Sequence, residues 1–231
     1  MILGYHRVHT EAGPLSIRPD TFRAHLEALA ADPAISVIGL TGLCDAVQAG
    51  SDCTCVALTF DDAYADTLEM AAPMLEEFGF PATVFAPSGL LGTAGKMSAD
   101  QLKGLLTSGL FEVGAHSRTH VDLRACGAVR LAEEVRGSKT DLETALGLEI
   151  RTFAYPFGAL DRRVRAAVEA AGFNGAVTTR RAWVRRRSDP LALPRNFVGD
   201  YRGAAFRAVV NGGLNYLAAL DRPRPPASTA A

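Results

Sequence analysis

The sequence lacks a long hydrophobic run and a dominant charge of one sign. Its 231 residues include 24 Lys and Arg against 25 Asp and Glu, which leaves a formal net charge of -1. So little net positive charge gives no support for a nucleic-acid partner. No apolar stretch approaches the roughly 20 residues that a membrane-spanning helix needs, so no integral membrane segment is predicted. The chain also has no internal repeat, no P-loop and no dinucleotide-binding glycine motif.

Cysteine is scarce as well, with four residues in the whole chain. Cys44, Cys53, Cys55 and Cys126 do not have the spacing of a secreted disulfide scaffold, and we expect all four to be reduced thiols. Residues 1–7 show no basic leader followed by an apolar core. No signal peptide is therefore predicted, and the cytoplasm is the expected location unless a native leader precedes this sequence.

Short apolar runs alternate along the chain with segments of helical hydrophobic spacing. The predicted strands are residues 2–8, 35–40, 56–60, 82–86, 111–115, 152–155 and 175–179. The predicted helices are residues 18–30, 41–50, 64–79, 98–108, 127–147, 161–172 and 206–220. Pro73 should interrupt or restart the third of these helices. The alternation predicts an α/β protein with a parallel sheet, which either closes into a barrel or stays open as a doubly wound sheet.

The domain organisation follows from the same pattern. Hydrophobic residues make up 48% of the chain, enough for one domain with a full core. We expect that catalytic domain to span residues 1–220. Residues 221–231 are rich in proline and lack large apolar side chains, so we expect a disordered tail there.

Two adjacent carboxylates, Asp61 and Asp62, end the apolar run of residues 56–60. Chemistry in α/β proteins collects at the carboxyl ends of parallel strands, which makes this position a candidate site. Neighbouring side chains of an extended backbone point to opposite sides, so the two carboxylates should have different partners. One could bind a metal while the other handles a proton.

His116 and His120 follow another apolar run at a spacing of four residues. In a continuous strand at about 3.3 Å per residue, the two imidazoles would lie roughly 13 Å apart, too far to share one ion. If the chain instead enters a helical turn after His116, the rings lie about 5–6 Å apart on one face and can share a metal. Two imidazoles and one carboxylate would make a catalytic metal site with an open position for water.

Three ordered motifs resemble those of the polysaccharide deacetylases, the NodB-homology group of carbohydrate esterases. They are Thr59-Phe-Asp-Asp62, His116-Ser-Arg-Thr-His120 and Phe153-Ala-Tyr-Pro-Phe-Gly158. The resemblance runs from about residue 2 to about residue 195, nearly the whole chain. It implies a distorted, seven-stranded (β/α)7 barrel similar to a TIM barrel, formed by a single domain.

The resemblance also implies a reaction, the hydrolysis of an N-acetyl group on an amino sugar. Asp62, His116 and His120 match the metal-binding positions of the family, and Asp61 matches its general base. Phe157 matches the position whose backbone N–H helps to hold the oxyanion. The expected cofactor is a divalent ion, with zinc best suited to the ligand set and cobalt or nickel as alternatives.

The sequence departs from the family pattern in two places. Many members have an arginine at the start of the third motif, where this chain has Ala154. Arg195 could supply that charge from another strand, or it could be a surface or structural arginine. The usual late histidine, the general acid, is also missing, since no histidine follows His120. His6 is the candidate acid or substrate contact, with a core or supporting histidine, a metal-bound water or the base itself as alternatives.

These observations predict a metal-dependent hydrolase that removes N-acetyl groups from a saccharide or glycoconjugate containing N-acetylglucosamine, such as an exopolysaccharide precursor. Two alternatives stay open. The same site could hydrolyse another amide, such as a formyl group or a small nitrogenous metabolite, or the protein could be a saccharide-binding module without turnover. An extended groove would favour an oligosaccharide, and a closed cavity would favour a metabolite. The sequence predicts no oligomeric state.

Overall fold

The computed structural model describes residues 1–11, 13–51 and 54–211. Its strands are β1 (Ile2–Tyr5), β2 (Arg7–Val8), β3 (Ser16–Ile17), β4 (Ser36–Val37), β5 (Cys55–Phe60), β6 (Ala82–Ala86), β7 (Phe111–Ala115), β8 (Thr152–Ala154), β9 (Gly175–Val177) and β10 (Asn196–Phe197). Its α-helices are α1 (Pro19–Ala30), α2 (Leu40–Gln48), α3 (Ala72–Phe78), α4 (Ala99–Leu106), α5 (Ala128–Leu146), α6 (Arg162–Ala170) and α7 (Ala204–Val210).

The main sheet is parallel throughout, with the strand order β10-β1-β5-β6-β7-β8-β9. Its central strands are buried, since every residue of β6 and every residue of β5 after Cys55 is buried on both faces of the sheet. Strands that are covered on both faces need continuous apolar sequence, which explains the unbroken runs in β5 and β6.

The chain after β9 closes this sheet into a barrel. Leu193 forms a parallel bridge with Val177 of β9, and its N–H donates to the Ala176 carbonyl at 2.8 Å. A short distance further along, Phe197 of β10 lies in register with Gly4 of β1. One stretch of chain therefore pairs with both edges of the sheet. The predicted (β/α)7 TIM-like barrel is confirmed.

The membership of the barrel differs from the prediction, although the number of strands agrees. The predicted strand 35–40 shrinks to β4, which pairs only with the start of β5 and lies off the main path. It is short because α2 already begins at Leu40. The seventh barrel strand is β10, whose two residues are too few to give a periodic signal. The predicted strand 2–8 is interrupted at His6, beyond which β2 pairs with β3.

The helix predictions are confirmed to within a few residues at each end as far as the described chain extends. Pro73 does restart a helix, because it occupies the first turn of α3 after a π-helical segment, Thr67–Ala71. Of the predicted helix 206–220, the described part contains α7. The remainder of that helix and the predicted tail, residues 221–231, lie outside the described residues.

Two further expectations can be compared with the described chain. Cys44 and Cys126 are free, but Cys55 is disulfide-bonded, so the expectation that all four thiols are reduced is wrong. Residue spacing alone does not report the oxidation state of a thiol. Among the helices of the described ranges, none is both long and apolar enough to cross a bilayer. The cellular location stays a prediction.

The apolar interior of the barrel positions the functional face of β5. Ala57 belongs to a buried cluster that also contains Phe85, Val177 and side chains from α2. Alternate residues of a strand share one face, so Thr59 and Asp61 continue the face of Ala57. Asp61 therefore enters the barrel at the carboxyl end of the strands, above an apolar floor.

Candidate active site

Left-handed backbone is concentrated at one place in the described chain. Apart from glycine, it occurs at Asp62 (φ 71°), Ala63 (50°), Ser117 (58°), His120 (56°) and Phe157 (59°). All five residues lie in the loops that follow β5, β7 and β8 at the carboxyl end of the barrel. Such conformations cost of order 1–3 kcal/mol each and persist where the surrounding structure determines them, commonly at functional sites. The backbone alone therefore marks these loops as the candidate site.

Three side chains in these loops form a group that fits a metal ion. Asp62 Oδ1 lies 3.4 Å from His120 Nε2 and 3.7 Å from His116 Nε2. One donor atom from each of the three residues lies within 4.8 Å of the other two. Two imidazole nitrogens and one carboxylate oxygen suit a divalent transition metal such as zinc. The structure thus brings together the three ligands that the sequence predicted.

A hydrogen bond to a backbone carbonyl fixes the orientation of the His116 ring. Its Nδ1 lies 2.7 Å from the Ala154 carbonyl, which can only accept, so Nδ1 carries the proton and Nε2 faces Asp62. Burial lowers the pKa of His116 to about 4, so the ring is neutral near pH 7. A neutral imidazole with its distal N–H bonded to a carbonyl is the usual state of a metal-binding histidine.

The helical turn predicted between the two histidines is wrong, and an irregular bend brings them together instead. Residues 116–120 form an irregular bend in which Ser117 and His120 have left-handed backbone. The Ser117 hydroxyl accepts the His120 N–H at 2.9 Å. The ring centroids of His116 and His120 lie 4.7 Å apart, so the side chains are neighbours although no helical turn places them.

A buried carboxylate from α5 holds that bend. Glu134 Oε2 accepts the N–H groups of Arg118 at 2.9 Å and Thr119 at 2.8 Å, and Oε1 accepts the Thr119 hydroxyl at 2.6 Å. Burial acts to raise the pKa of Glu134, but these hydrogen bonds outweigh it and hold the pKa below its usual value. Glu134 thus accepts the backbone N–H groups of the bend that no backbone carbonyl accepts within it.

Asp61 has a different main partner from Asp62, as predicted, although the left-handed backbone of Asp62 and not an extended strand separates them. Arg195 makes a two-pronged ion pair with it, Nη1 to Oδ1 at 2.5 Å and Nη2 to Oδ2 at 2.7 Å. The same guanidinium donates to Thr59 Oγ1 and to the Thr178 carbonyl. Burial acts to raise the pKa of Asp61, but the charges of Arg195 and His116 and the hydrogen bonds from Arg195 together outweigh it and hold that pKa below its usual range. Arg195 is 0% exposed, so it is not a surface arginine.

Aromatic rings enclose the Arg195 guanidinium and connect it to His6. The guanidinium lies 4.6 Å from the ring centre of Phe197 and 5.5 Å from that of Phe85. His6 stacks on the same Phe197 ring at 4.9 Å. His6 and Phe197 also line an adjoining cavity of about 260 Å³, which includes Leu15. His6 is therefore at the rim of the site, in partial contact with solvent.

Phe157 lies on the opposite rim, beside His120. The two ring centroids are 4.7 Å apart, and the Phe157 side chain is 65% exposed, unusual for a phenylalanine. Its left-handed backbone is followed by Gly158, where an added Cβ would lie 2.1 Å from Thr179 Oγ1. The tight approach of this loop to Thr179 explains why glycine is required there.

Comparison with known proteins agrees with this geometry. The sequence model of the polysaccharide deacetylase family matches residues 48–176, a range that contains the three candidate ligands, Asp61 and Phe157. The chain belongs to the polysaccharide deacetylase family. The Bacillus subtilis (strain 168) protein YxkH, named for the same family, is 27% identical over 157 residues, 68% of this chain. The chain spans only 56% of the length of that relative.

Solved structures share the fold. The Streptococcus pyogenes deacetylase PplD, in complex with acetate, superposes with a TM-score of 0.80 at 24% identity, covering 85% of this chain and 91% of its own. IcaB from Ammonifex degensii superposes with a TM-score of 0.76 at 26% identity, covering 91% and 94%. The parallel barrel described above is thus also the fold of the deacetylase PplD.

Sequence reasoning missed three residues of this deacetylase-family site. Glu134 holds the histidine bend from a helix, while Lys96 and Tyr64 lie beside Asp62. Lys96 Nζ is 3.8 Å from Asp62 Oδ2 and 3.3 Å from the centre of the Tyr64 ring. A lone lysine in a loop and a glutamate among the charges of an amphipathic helix carry no motif. Only the tertiary structure shows what they contact.

Proposed function

We propose that this protein is a divalent-metal-dependent hydrolase that removes N-acetyl groups from amino sugars. The substrate would be a saccharide or glycoconjugate that contains N-acetylglucosamine, and residues 1–220 would form the catalytic domain. One observation carries the proposal. The buried Asp61–Arg195 ion pair lies beside the Asp62, His116 and His120 group, which places a candidate base next to a candidate metal site.

Asp62, His116 and His120 would hold the ion. When bound, a divalent ion lowers the pKa of a coordinated water and polarises the acyl oxygen of the substrate. His116 contributes a neutral ring whose Nε2 lone pair is directed into the site by the bond from Nδ1–H to the Ala154 carbonyl. The Asp-His-His ligand set suits zinc, with cobalt and nickel as alternatives.

Asp61 would be the general base. Its low pKa keeps it ionised near neutral pH, so it is ready to accept the proton of the attacking water. Arg195 binds both carboxylate oxygens and therefore fixes the orientation of the base. In this role Arg195 replaces the arginine that many family members have at the position of Ala154.

Phe157 and His6 would complete the reaction from the two rims. The backbone N–H of Phe157 would donate to the oxyanion, so its exposed side chain should matter less than its amide. His6 would protonate the departing amine or contact the substrate, because it lies at the rim. Burial lowers the pKa of His6, while Asp61 and Asp62 act in the opposite direction and favour the protonated ring. If His6 only contacts the substrate, Asp61 returns its own proton.

The test is acetate release by the full chain from N-acetylglucosamine monomers, oligomers and lipid-linked sugars. Metal is first stripped with a chelator, and zinc, cobalt or nickel is added back. We expect release that requires added metal and that His116→Ala abolishes. His9→Ala is the matched control and should retain release, since His9 lies outside the metal-ligand group. Metal binding without release from any substrate would instead support another amide substrate or a saccharide-binding module.

A further inference from the structure

We propose that Lys96 is a positioning residue for Asp62, holding one carboxylate oxygen so that the other stays directed at the two imidazoles. The inference rests on the proposed function, because it concerns the metal ligand Asp62. It assigns a role to a side chain outside the three motifs of the sequence.

The two oxygens of Asp62 have separate surroundings. Oδ1 is the atom that lies 3.4 Å from His120 Nε2 and 3.7 Å from His116 Nε2, whereas Oδ2 is the atom nearest Lys96 Nζ, at 3.8 Å. A carboxylate that is free to rotate could offer either oxygen or both to an ion. A cation beside Oδ2 favours the rotamer in which Oδ1 alone faces the ligand group.

Lys96 is itself held in place by an aromatic ring. Its ammonium lies 3.3 Å from the centre of the Tyr64 ring, and the guanidinium of Arg7 lies 5.0 Å from the same ring. Arg7 is in turn paired with the buried Asp66 at 2.6 Å. A desolvated cation over an aromatic face is stabilised by the ring quadrupole, which reduces the freedom of the lysine side chain.

The backbone brings Lys96 and Asp62 together. The loop that carries Lys96 lies antiparallel to the turn after Asp62, with a bridge between Tyr64 and Lys96. The Met97 N–H donates to the Ala63 carbonyl at 2.8 Å, and the Ala65 N–H donates to the Gly95 carbonyl at 3.0 Å. These bonds lie on either side of Tyr64 and begin at the left-handed residue Ala63, so one contact both supports the unusual backbone and positions the ammonium.

The pair is shielded enough for its charge to matter. The side chains of Lys96 and Asp62 are 14% and 12% exposed, unlike the solvated pair of Lys103 and Asp100 on α4. Exposed ion pairs contribute little, and shielded ones are screened less. Two effects of Lys96 on a dication oppose each other, because the ammonium repels the ion while it orders the ligand. If ordering of Asp62 is the larger effect, removing the ammonium weakens zinc binding. If repulsion is the larger effect, removing the ammonium strengthens zinc binding.

The experiment measures zinc affinity of the full chain by competition with a chromogenic chelator. Lys96→Met removes the charge and keeps the length, and we expect zinc to bind roughly 10-fold more weakly, as when hydrogen-bond partners of metal ligands are removed elsewhere. Lys96→Arg should recover most of the affinity. Tyr64→Leu, which removes the ring beneath the ammonium and also a hydroxyl that interacts with Asp62, should give a smaller loss. Lys103→Met is the matched control and should bind zinc as wild type does.

Each outcome has one meaning for the proposal. Equal or tighter zinc binding by Lys96→Met overturns it, and so does a lower melting temperature without a change in affinity, which would show a merely structural lysine. If Lys96→Met does not fold, the zinc affinities of Lys96→Arg and Tyr64→Leu are compared instead. An unchanged zinc affinity in Tyr64→Leu together with a lost zinc affinity in Lys96→Arg would count against the positioning role of Lys96. If wild type and His116→Ala bind zinc equally poorly, the proposed function fails instead.

Discussion

The two ends of the barrel surround a carboxylate with different kinds of group: Asp61 at the carboxyl end is buried, and Glu112 at the amino end is half-buried. At the carboxyl end, Asp61 faces the guanidinium of Arg195 and the imidazole of His116. At the amino end, Glu112 faces neutral donors, the Thr41 N–H at 3.1 Å and the Thr83 hydroxyl at 3.0 Å. One carboxylate lies between a permanent cation and a candidate metal-binding imidazole, and the other caps the first turn of α2.

The backbone conformation also differs between the two ends of the barrel. Every described non-glycine residue with left-handed backbone lies at the carboxyl end, whereas α2 starts at the amino end with ordinary extended geometry at Gly39. Gly39 has no side chain to cap the helix, and Glu112 of β7 supplies the missing acceptor. Barrels of this kind place chemistry at one end and stability at the other, and the two carboxylates allow that division to be tested.

The largest effect should come from removing a metal ligand at the carboxyl end. His116→Ala leaves two of three ligands, and we expect zinc binding to be lost and kcat/KM for deacetylation to fall about 10⁴-fold. Zinc content after dialysis and acetate release measure the two effects. A variant that lost activity but kept stoichiometric zinc would remove His116 from the ligand set.

Asp61→Asn should separate base catalysis from metal binding. The amide can still accept hydrogen bonds but cannot take a proton, so kcat should fall about 10²- to 10⁴-fold with zinc affinity nearly unchanged. Zinc competition and acetate release on the same preparation make the comparison. Wild-type activity in this variant would contradict the assignment of Asp61 as the base.

Arg195→Met should show how strongly the two members of the buried pair depend on each other. Losing the guanidinium leaves Asp61 buried without a counter-charge, which should cost about 3–5 kcal/mol of unfolding free energy. Denaturant unfolding of the apoprotein measures the loss. Adding Asp61→Asn to Arg195→Met should restore part of the stability but none of the activity. If the double variant is as unstable as the sum of the singles, the pair is not coupled as described.

The parts of this site that sequence could predict are those at strand ends. Asp61, Asp62 and His116 follow apolar runs directly, and the carboxyl ends of parallel strands meet at one edge. Their proximity therefore followed from local pattern and topology, without any knowledge of side-chain packing. The (β/α) alternation predicted most of the barrel for the same reason.

The parts that sequence could not predict depend on distant or very short segments. Arg195 is separated from Asp61 by 134 positions, and β10, which brings it to the barrel interior, has only two residues. The bend between His116 and His120 looked like a helical turn because four-residue spacing fits one. Its real geometry depends on Glu134, a helix residue whose role no local pattern reports.

Glu134→Gln tests whether the bend needs that carboxylate. Its hydrogen bonds from Arg118 and Thr119 are charge-assisted, so we expect a loss of about 1–3 kcal/mol in unfolding free energy. Because the bend positions His120, zinc affinity should also fall, by about 10-fold. Chelator competition and denaturant unfolding measure these changes. Lower stability with unchanged zinc affinity would show that His120 is positioned by Ser117 alone.

The smallest effect, and the one that completes the comparison of the two ends, belongs to Glu112→Gln. The glutamine can still accept from Thr41 and Thr83 but loses its charge near the start of α2, so we expect only about 0.5–1 kcal/mol of destabilisation. Acetate release and zinc affinity should stay within twofold of wild type, because this carboxylate caps a helix at the end opposite the ligands. A loss of kcat comparable to that of Asp61→Asn would mean that the amino end takes part in the chemistry and that the division between the ends is wrong.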